Sequence, residues 1–251
     1  MVSKLALAAT VGLAAARPAP QNKPLIVGGV EAASGEFPYI VSLQQGGSHF
    51  CGGSLYSSTV VITAAHCSTG ISPAQVTVTG GTNTWASGGT TAAVSSIVIH
   101  PDYDAGALNN DIAIWHLSEP LGEGEGIGYV SLPTQGSDPA ADSTTTVAGW
   151  GYLEETSWDV SPTLMKVDVP IVDRDVCTTQ YADINPITDA MVCAGYDEGG
   201  KDACSGDSGG PLVDGDTLVG IVSWGAGCAR ADYAGVYTRV GAFIEWIAEN
   251  L

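Results

Sequence analysis

Short apolar runs separated by turn-forming residues extend through most of this chain. The runs are rich in Val, Ile, Thr and Leu, and Gly, Ser, Asp and Pro interrupt them. Such spacing is typical of antiparallel β-structure in a barrel or a sandwich, so we predict an all-β fold. The predicted strands cover residues 39–43, 60–63, 75–79, 97–99, 112–117, 144–148 and 218–223.

Helical periodicity is clear at the C-terminus. Phe243, Ile247 and Leu251 recur four residues apart, and Ile244 falls on the same face. Residues four apart lie above one another on a helix, so this pattern predicts an amphipathic helix at about 241–250. We expect it to dock its apolar face on the second half of the chain.

The first residues have the pattern of an export signal. Lys4 provides a basic start, an apolar run of 12 residues extends from Leu5 to Ala16, and the alanines at its end suit a cleavage site. Twelve residues are too few for a membrane span, which needs about 20. We therefore predict a signal peptide at 1–16 and a secreted protein with no membrane partner.

The chain contains six cysteines. In an oxidising compartment this even number favours three disulfide bridges over free thiols. A zinc site is the competing interpretation, but no C-x-x-C pair and no H-E-x-x-H motif occurs. These patterns alone leave the pairing open.

Charge is strongly unbalanced. Three of the eight basic residues lie in the first 25 positions, which leaves five basic against 27 acidic side chains in the remainder. Nucleic-acid binding needs a basic surface, so a nucleic-acid partner is not expected. An acidic surface favours solubility, and it also attracts cationic substrates.

The strongest chemical signal is the stretch DACSGDSGGP at 202–211, which places Ser208 among glycines. A serine hydroxyl is a weak nucleophile at neutral pH and needs a base to take its proton. Histidine suits that task because its ordinary pKa lies close to neutral pH. His66 lies in the pattern TAAHC, and Asp111 begins an apolar run in the pattern NDIAI.

Other residues compete for these roles. His49, His100 and His116 lie in no comparable context, and we interpret them as structural or surface histidines. Asp102 and Asp104 lie in a turn-rich stretch, so we expect them to be solvated.

Two further motifs, IVGG from Ile26 and GWG from Gly149, complete the set. In this order the five motifs resemble the trypsins of the chymotrypsin family, and the secreted fungal trypsins in particular, from Ile26 to the C-terminus. The resemblance implies two six-stranded antiparallel β-barrels, at about 26–132 and 133–240, with the active site between them. It also implies a propeptide at 17–25 and a protease domain at 26–251.

The same resemblance implies a role for each matching residue. The catalytic residues are His66, Asp111 and Ser208, and the backbone amides of Gly206 and Ser208 form the oxyanion hole. Substrate is bound by Asp202, Ala203, Ser223, Trp224, Gly225 and Gly235. Activation involves Leu25, Ile26 and Asp207. The implied disulfides join Cys51 to Cys67, Cys177 to Cys193, and Cys204 to Cys228.

The implied function is that of a secreted serine endopeptidase, made as a zymogen, that cleaves after Arg or Lys. We expect Arg to be preferred, because Ala203 has no hydroxyl to offer a lysine ammonium. Its expected partners are such substrates, an activating protease and proteinaceous trypsin inhibitors, and we expect a monomer. No cofactor or metal is expected. The loop between Cys67 and Asp102 contains no Asp or Glu, and a calcium site needs such oxygen ligands. The alternatives are an inactive homologue that acts as a binding protein and a protease with a different pocket preference.

Overall fold

The first half of the chain forms a closed barrel. The structure is a computed structural model that describes residues 26–251, so the predicted signal peptide and propeptide lie outside the described residues. Its strands are β2 (Ile40–Gln45), β3 (Ser48–Ser57), β4 (Val60–Thr63), β5 (Val76–Gly80), β6 (Thr90–Ile99) and β7 (Ala113–Leu117). The barrel order is β2-β3-β4-β7-β6-β5, and all of its pairings are antiparallel.

The second half repeats this architecture. Its strands are β8 (Thr144–Gly149), β9 (Met165–Val172), β10 (Met191–Ala194), β11 (Pro211–Asp214), β12 (Thr217–Trp224) and β13 (Gly235–Arg239). They follow the order β9-β10-β13-β12-β11-β8, and the pairing of β8 with β9 closes the barrel. A short strand, β1 (Val30–Glu31), adds to β9 and ties the start of the described chain to the second barrel. The predicted fold class is confirmed.

Helices in the described part of the chain are few and short. They are α1 (Arg174–Gln180), α2 (Ile244–Glu249) and the 3-10 turns Pro73–Gln75 and Val240–Ala242. The terminal helix is shorter than predicted, and its face is smaller. Phe243 and Ile247 are buried, whereas Leu251 is 54% exposed and was wrongly assigned to the apolar face. No helix in 26–251 is long and apolar enough to cross a bilayer.

Six of the thirteen strands in the described residues, β1, β3, β9, β10, β11 and β13, lie outside the predicted runs, and for β3 and β9 the physical reason is clear. β3 carries Gly52 and Gly53, which suggest a turn, but both allow close packing: a Cβ on Gly53 would lie 2.7 Å from Val61. β9 contains Pro170 and two charged residues, yet its alternate positions Met165, Val167, Val169 and Ile171 all point into the core. Proline at such a position argues against a strand when only the sequence is read.

The three disulfides of the structure are those that the resemblance implies. Cys51 bonds to Cys67, Cys177 to Cys193, and Cys204 to Cys228. The first links β3 to the segment that carries His66, and the third joins the Ser208 loop to the segment that follows β12. Disulfides thus hold two of the loops at the candidate site.

Candidate active site

His66 and Asp111 form a bidentate pair at one end of the first barrel. His66 follows β4 and Asp111 precedes β7, and these two strands are neighbours. One carboxylate oxygen of Asp111 accepts from the backbone N–H of His66 at 2.8 Å, and the other lies 2.7 Å from His66 Nδ1. The carboxylate therefore fixes both the backbone and the ring of the histidine.

The second barrel completes the surroundings of Asp111. Ser223 Oγ donates to Asp111 Oδ2 at 2.6 Å, and Thr238 Oγ1 donates to the Asp111 carbonyl at 2.7 Å. Asp111 is only 1% exposed. A buried carboxylate with three donors to its two oxygens has its hydrogen-bonding capacity well satisfied.

Ser208 lies on the loop before β11 and reaches the first barrel through its backbone. The Ser208 carbonyl accepts from the Gly52 N–H at 2.8 Å, and a Cβ on Gly209 would overlap Thr63. This close approach brings a residue of the second barrel to the end of β4, which leads to His66. Within 26–251 no hydrogen bond joins the Ser208 hydroxyl to His66. In enzymes without substrate, the hydrogen bond between nucleophile and base is often long or poorly aligned.

The backbone amides of Gly206 and Ser208 are free to bind a ligand. In the described chain neither N–H donates to a protein acceptor, whereas the intervening Asp207 N–H donates to the Cys204 carbonyl at 2.9 Å. Gly206 has φ +95°, a conformation that favours glycine, and a Cβ there would lie 3.0 Å from Val160. The two free amides, on either side of Asp207, form a suitable site for a developing negative charge.

His49 supports this loop and was missed as a functional candidate. His49 Nε2 lies 2.8 Å from the Gly206 carbonyl, and Nδ1 lies 2.8 Å from Ser42 Oγ. Burial lowers the pKa of His49, which favours the neutral ring with a proton on Nε2. The histidine thus orients the peptide unit after Gly206. No local motif around His49 indicates this, because its partner is 157 residues away.

Asp207 is completely buried beneath the Ser208 loop. Its carboxylate accepts from the N–H groups of Gly151 at 2.7 Å and Cys204 at 2.9 Å. A Cβ on Gly149 or Gly151 would overlap this carboxylate, which explains the glycines of the GWG motif. Burial raises the pKa of Asp207 to about 6, and the two backbone donors oppose that rise. Ile26 is also fully buried, in the core of the second barrel.

A cavity of about 330 Å³ opens beside Ser208, and Asp202 lies in it. Its other lining residues include Ala203, Ser223, Trp224, Gly225 and Gly235, the remaining predicted pocket residues. Asp202 is 5% exposed, and Oδ2 accepts from the Ala229 N–H at 2.9 Å. Oδ1 is buried and has no hydrogen-bond partner in the part of the chain that the structure describes. Burial raises the pKa of Asp202 to about 7, against the effect of the amides of Ala229 and Ala203.

Glycine at 235 keeps the base of this cavity open. A Cβ on Gly235 would lie 2.6 Å from Asp202 Oδ1 and 3.1 Å from the Tyr237 hydroxyl. A larger residue would therefore cover the carboxylate. The cavity can accept a long side chain whose polar end reaches Asp202.

One cluster has the proximity of a metal site. His66, Cys51 and Cys67 offer ligand atoms within 4.8 Å of one another. The two sulfurs are bonded to each other, so neither is available as a thiolate ligand. The cluster is therefore a disulfide beside His66.

The chain is similar to known proteins along nearly all of its length. A family model described as Trypsin matches residues 26–247. Trypsin Blo t 3 of Blomia tropicalis is 48% identical, over 88% of this chain and 84% of its own. The vitellin-degrading protease of Bombyx mori is 41% identical, over all of this chain and 96% of its own.

Trypsin beta of Drosophila erecta is 42% identical, over 92% of this chain and 90% of its own. All three relatives come from arthropods and give no support to a particular likeness to fungal trypsins. The family match, the identities and the two-barrel fold agree. The chain belongs to the trypsin family and is a trypsin-like serine endopeptidase.

Proposed function

We propose that this protein is a secreted endopeptidase that cleaves after Arg or Lys, with Arg preferred, and that cleavage between Leu25 and Ile26 activates it. The observation that carries the specificity is the buried carboxylate of Asp202 in the same cavity as Ser208, with one oxygen that no described residue satisfies. A buried carboxylate without a cation is costly, and a guanidinium or ammonium group of the substrate supplies one.

The geometry supports acyl-enzyme chemistry with a distinct role for each residue. The Ser208 hydroxyl attacks the peptide carbonyl while His66 Nε2 takes its proton. Asp111 accepts the N–H of His66 Nδ1 and stabilises the imidazolium that forms. The amides of Gly206 and Ser208 bind the oxyanion, and each such donor typically contributes about 3 to 4 kcal/mol to transition-state stabilisation. His66 then protonates the leaving amine, and water hydrolyses the acyl-enzyme by the same steps.

The proposal is tested with matched arginine and phenylalanine esters. The cleaved protein is expected to hydrolyse the arginine ester with a burst of acyl-enzyme, and the phenylalanine ester far more slowly. Hydrolysis of the phenylalanine ester alone would favour a protease with another pocket preference. Hydrolysis of neither would favour an inactive homologue that acts as a binding protein.

The affinity of the pocket for a cation is expected to depend on pH near neutrality. Because burial raises the pKa of Asp202 to about 7, the carboxyl is mostly neutral below that pH and mostly charged above it. Benzamidinium binds the charged form, so its affinity should fall by about tenfold for each pH unit below 7. Binding near pH 7 should release a proton, which calorimetry in buffers of different ionisation enthalpy measures.

The matched control is Asp202→Asn, which removes the titrating group while it keeps the shape of the side chain. This variant should bind benzamidinium weakly at every pH and release no proton from the pocket. An affinity in the unchanged protein that stays constant from pH 8 to pH 5 would contradict the assignment.

Ala203 should favour arginine over lysine by about tenfold in kcat/KM. A guanidinium reaches Asp202 directly, whereas the shorter lysine ammonium needs additional acceptors for its three donors. Ala203 lines the cavity without a hydroxyl, and a hydrogen bond to a charged group is worth about 1.5 to 3 kcal/mol, part of which water recovers. Ala203→Ser should narrow the gap between matched Arg and Lys peptides. A native preference for lysine, or a gap that serine leaves unchanged, would contradict this prediction.

The uncleaved chain should have little activity. Cleavage before Ile26 creates an ammonium group, and we expect it to pair with the buried Asp207 and order the oxyanion loop. Pairing raises the pKa of the ammonium above the free value of about 8, so activity should be present below the raised pKa and lost as pH rises through it. The measurement compares kcat/KM of the intact and the cleaved chain against pH.

Cleaved Asp207→Asn is the control for this pairing and should remain nearly inactive at every pH. Because Leu25 does not suit a pocket with Asp202 in it, the active enzyme should not accelerate cleavage of its own precursor. Autocatalytic activation, or an intact precursor as active as the cleaved chain, would overturn the activation proposal.

A further inference from the structure

A second carboxylate lines the cavity that holds Asp202. Glu155 contributes to the same lining as Asp202, Ser205 and Ser208, although it comes from a separate loop between β8 and β9. The five motifs that identify the family do not include it. Asp202 is 5% exposed, whereas the Glu155 side chain is 37% exposed, so Glu155 lies at the solvent end of the cavity.

Glu155 forms an ion pair with Arg230. Arg230 Nη2 lies 2.8 Å from Glu155 Oε1, and Arg230 Nε donates to Oε2 at 3.2 Å. This two-pronged contact, which we call the mouth pair, lies directly over Gly227. A Cβ on Gly227 would overlap both partners, so glycine at that position, with φ +85°, permits the pair. Arg230 itself is not among the lining residues and holds the carboxylate from outside.

The loop that carries Glu155 is anchored beside the candidate oxyanion site. Tyr152 bridges Val160 across the base of the loop, and the Tyr152 N–H donates to the Ser205 carbonyl at 2.8 Å. Val160 also packs against Gly206. The base of the loop is thus held against the residues next to Ser208, and Glu155 is presented to a substrate bound there.

The mouth pair is open to exchange. The Arg230 side chain is 58% exposed, and exposed ion pairs contribute little stability because water screens them. A cation from a bound substrate can therefore replace Arg230 at Glu155 at small cost. The displaced guanidinium is already at the surface and can turn into solvent.

We propose that Glu155 is a specificity-determining residue that binds a second basic side chain of the substrate, close to the Arg or Lys held by Asp202, by displacing Arg230. This inference rests on the proposed cleavage after Arg or Lys. Its substrate class is the peptide or protein segment with two neighbouring basic residues. Arg230 occupies the acidic position when such a residue is absent and competes with it when it is present.

The experiment uses the activated protein and a set of quenched fluorescent peptides. The parent peptide has one arginine at the cleavage site, and each member of the set carries one added lysine at a different position, from three residues before that arginine to three residues after it. The same set with glutamine in place of the added lysine corrects for side-chain length. The measured quantity is the ratio of kcat/KM for cleavage after the arginine in each lysine peptide to that in its glutamine partner, with the products resolved by mass so that cleavage after the added lysine is counted separately.

The unchanged protein should show a ratio of about three to ten at one or more positions. Glu155→Gln should bring that ratio to about one, and Arg230→Gln should raise it, because the competing guanidinium is absent. Glu154→Gln is the matched control: it removes the same charge from the adjacent, exposed position, which does not line the cavity, and should leave the ratio unchanged.

Three results would overturn the inference: ratios of one at every position, an equal fall in Glu154→Gln and Glu155→Gln, or a fall in Arg230→Gln. The equal fall would show that the general acidic field attracts the lysine. Failure of the proposed function looks different, because the parent peptide with a single arginine would then not be cleaved.

Discussion

Replacement of Asp202 by Asn is expected to lower kcat/KM for substrates cleaved after arginine by about 10²- to 10⁴-fold. Loss of one partner from a buried charge pair typically costs about 3 to 5 kcal/mol, which corresponds to this range. The side chain is 5% exposed, and Oδ1 has no hydrogen-bond partner among residues 26–251, so a substrate cation is a suitable complement. Steady-state kinetics on matched arginine and phenylalanine peptides measure the effect.

The loss should be confined to cationic substrates. The phenylalanine peptide, poor for the native enzyme, should change by much less, because the asparagine still fits the cavity and leaves Ser208 untouched. Asp197→Asn, an exposed position on the segment before Asp202, is the control for a general loss of acidic charge and should have little effect. An Asp202→Asn variant with nearly native activity on the arginine peptide would disprove the role of this carboxylate.

Replacement of Asp111 by Asn is expected to lower kcat by about 10⁴-fold, the size typical of this change in serine proteases of this kind. The native carboxylate accepts from His66 N, His66 Nδ1 and Ser223 Oγ at 2.6 to 2.8 Å. An amide has one oxygen and two N–H donors, so it cannot satisfy all three. If its N–H faces Nδ1, His66 carries its proton on Nε2 and can no longer accept the proton of Ser208.

Separate measurement of kcat and KM distinguishes a role of Asp111 in catalysis from a purely structural role. Asp111→Asn should leave KM nearly unchanged while kcat falls, and benzamidinium should still bind to the pocket. Asp102→Asn is the matched control, because Asp102 was a rival in the sequence and is exposed in the structure. A small loss of kcat in Asp111→Asn, or a loss of equal size in Asp102→Asn, would refute the assignment.

The sequence predicted the fold class because short apolar runs and turns report directly on antiparallel strands. The catalytic candidates His66, Asp111 and Ser208 were identifiable because each lies within a short motif, and local context excluded Asp102 and His100. Prediction failed where packing overrides local preference. Positions 52 and 53 of strand β3 are glycine because the Ser208 loop and Val61 leave no room there for side chains, so these glycines do not mark a turn.

Tertiary structure alone revealed His49, Glu155 and the state of the two buried carboxylates. The His49 ring meets Gly206 across 157 residues, and Glu155 meets Arg230 across 75. A contact between distant segments does not show in the hydrophobic and polar pattern of either segment. The raised pKa values of Asp202 and Asp207 likewise come from burial, which depends on every chain segment that packs around them.

What the sequence by itself determined is therefore local: the all-β class with about half of its strands, an even number of cysteines that favours three disulfides, and the short motifs that carry the candidate chemistry. The tertiary structure decided how those residues act together. It set the reach of the Ser208 loop to the first barrel, the two free amides of the candidate oxyanion site, and the second carboxylate at the mouth of the pocket. The physical reason is that proximity, burial and desolvation are properties of the closed barrels and of the contact between them, and no single segment of the chain contains them.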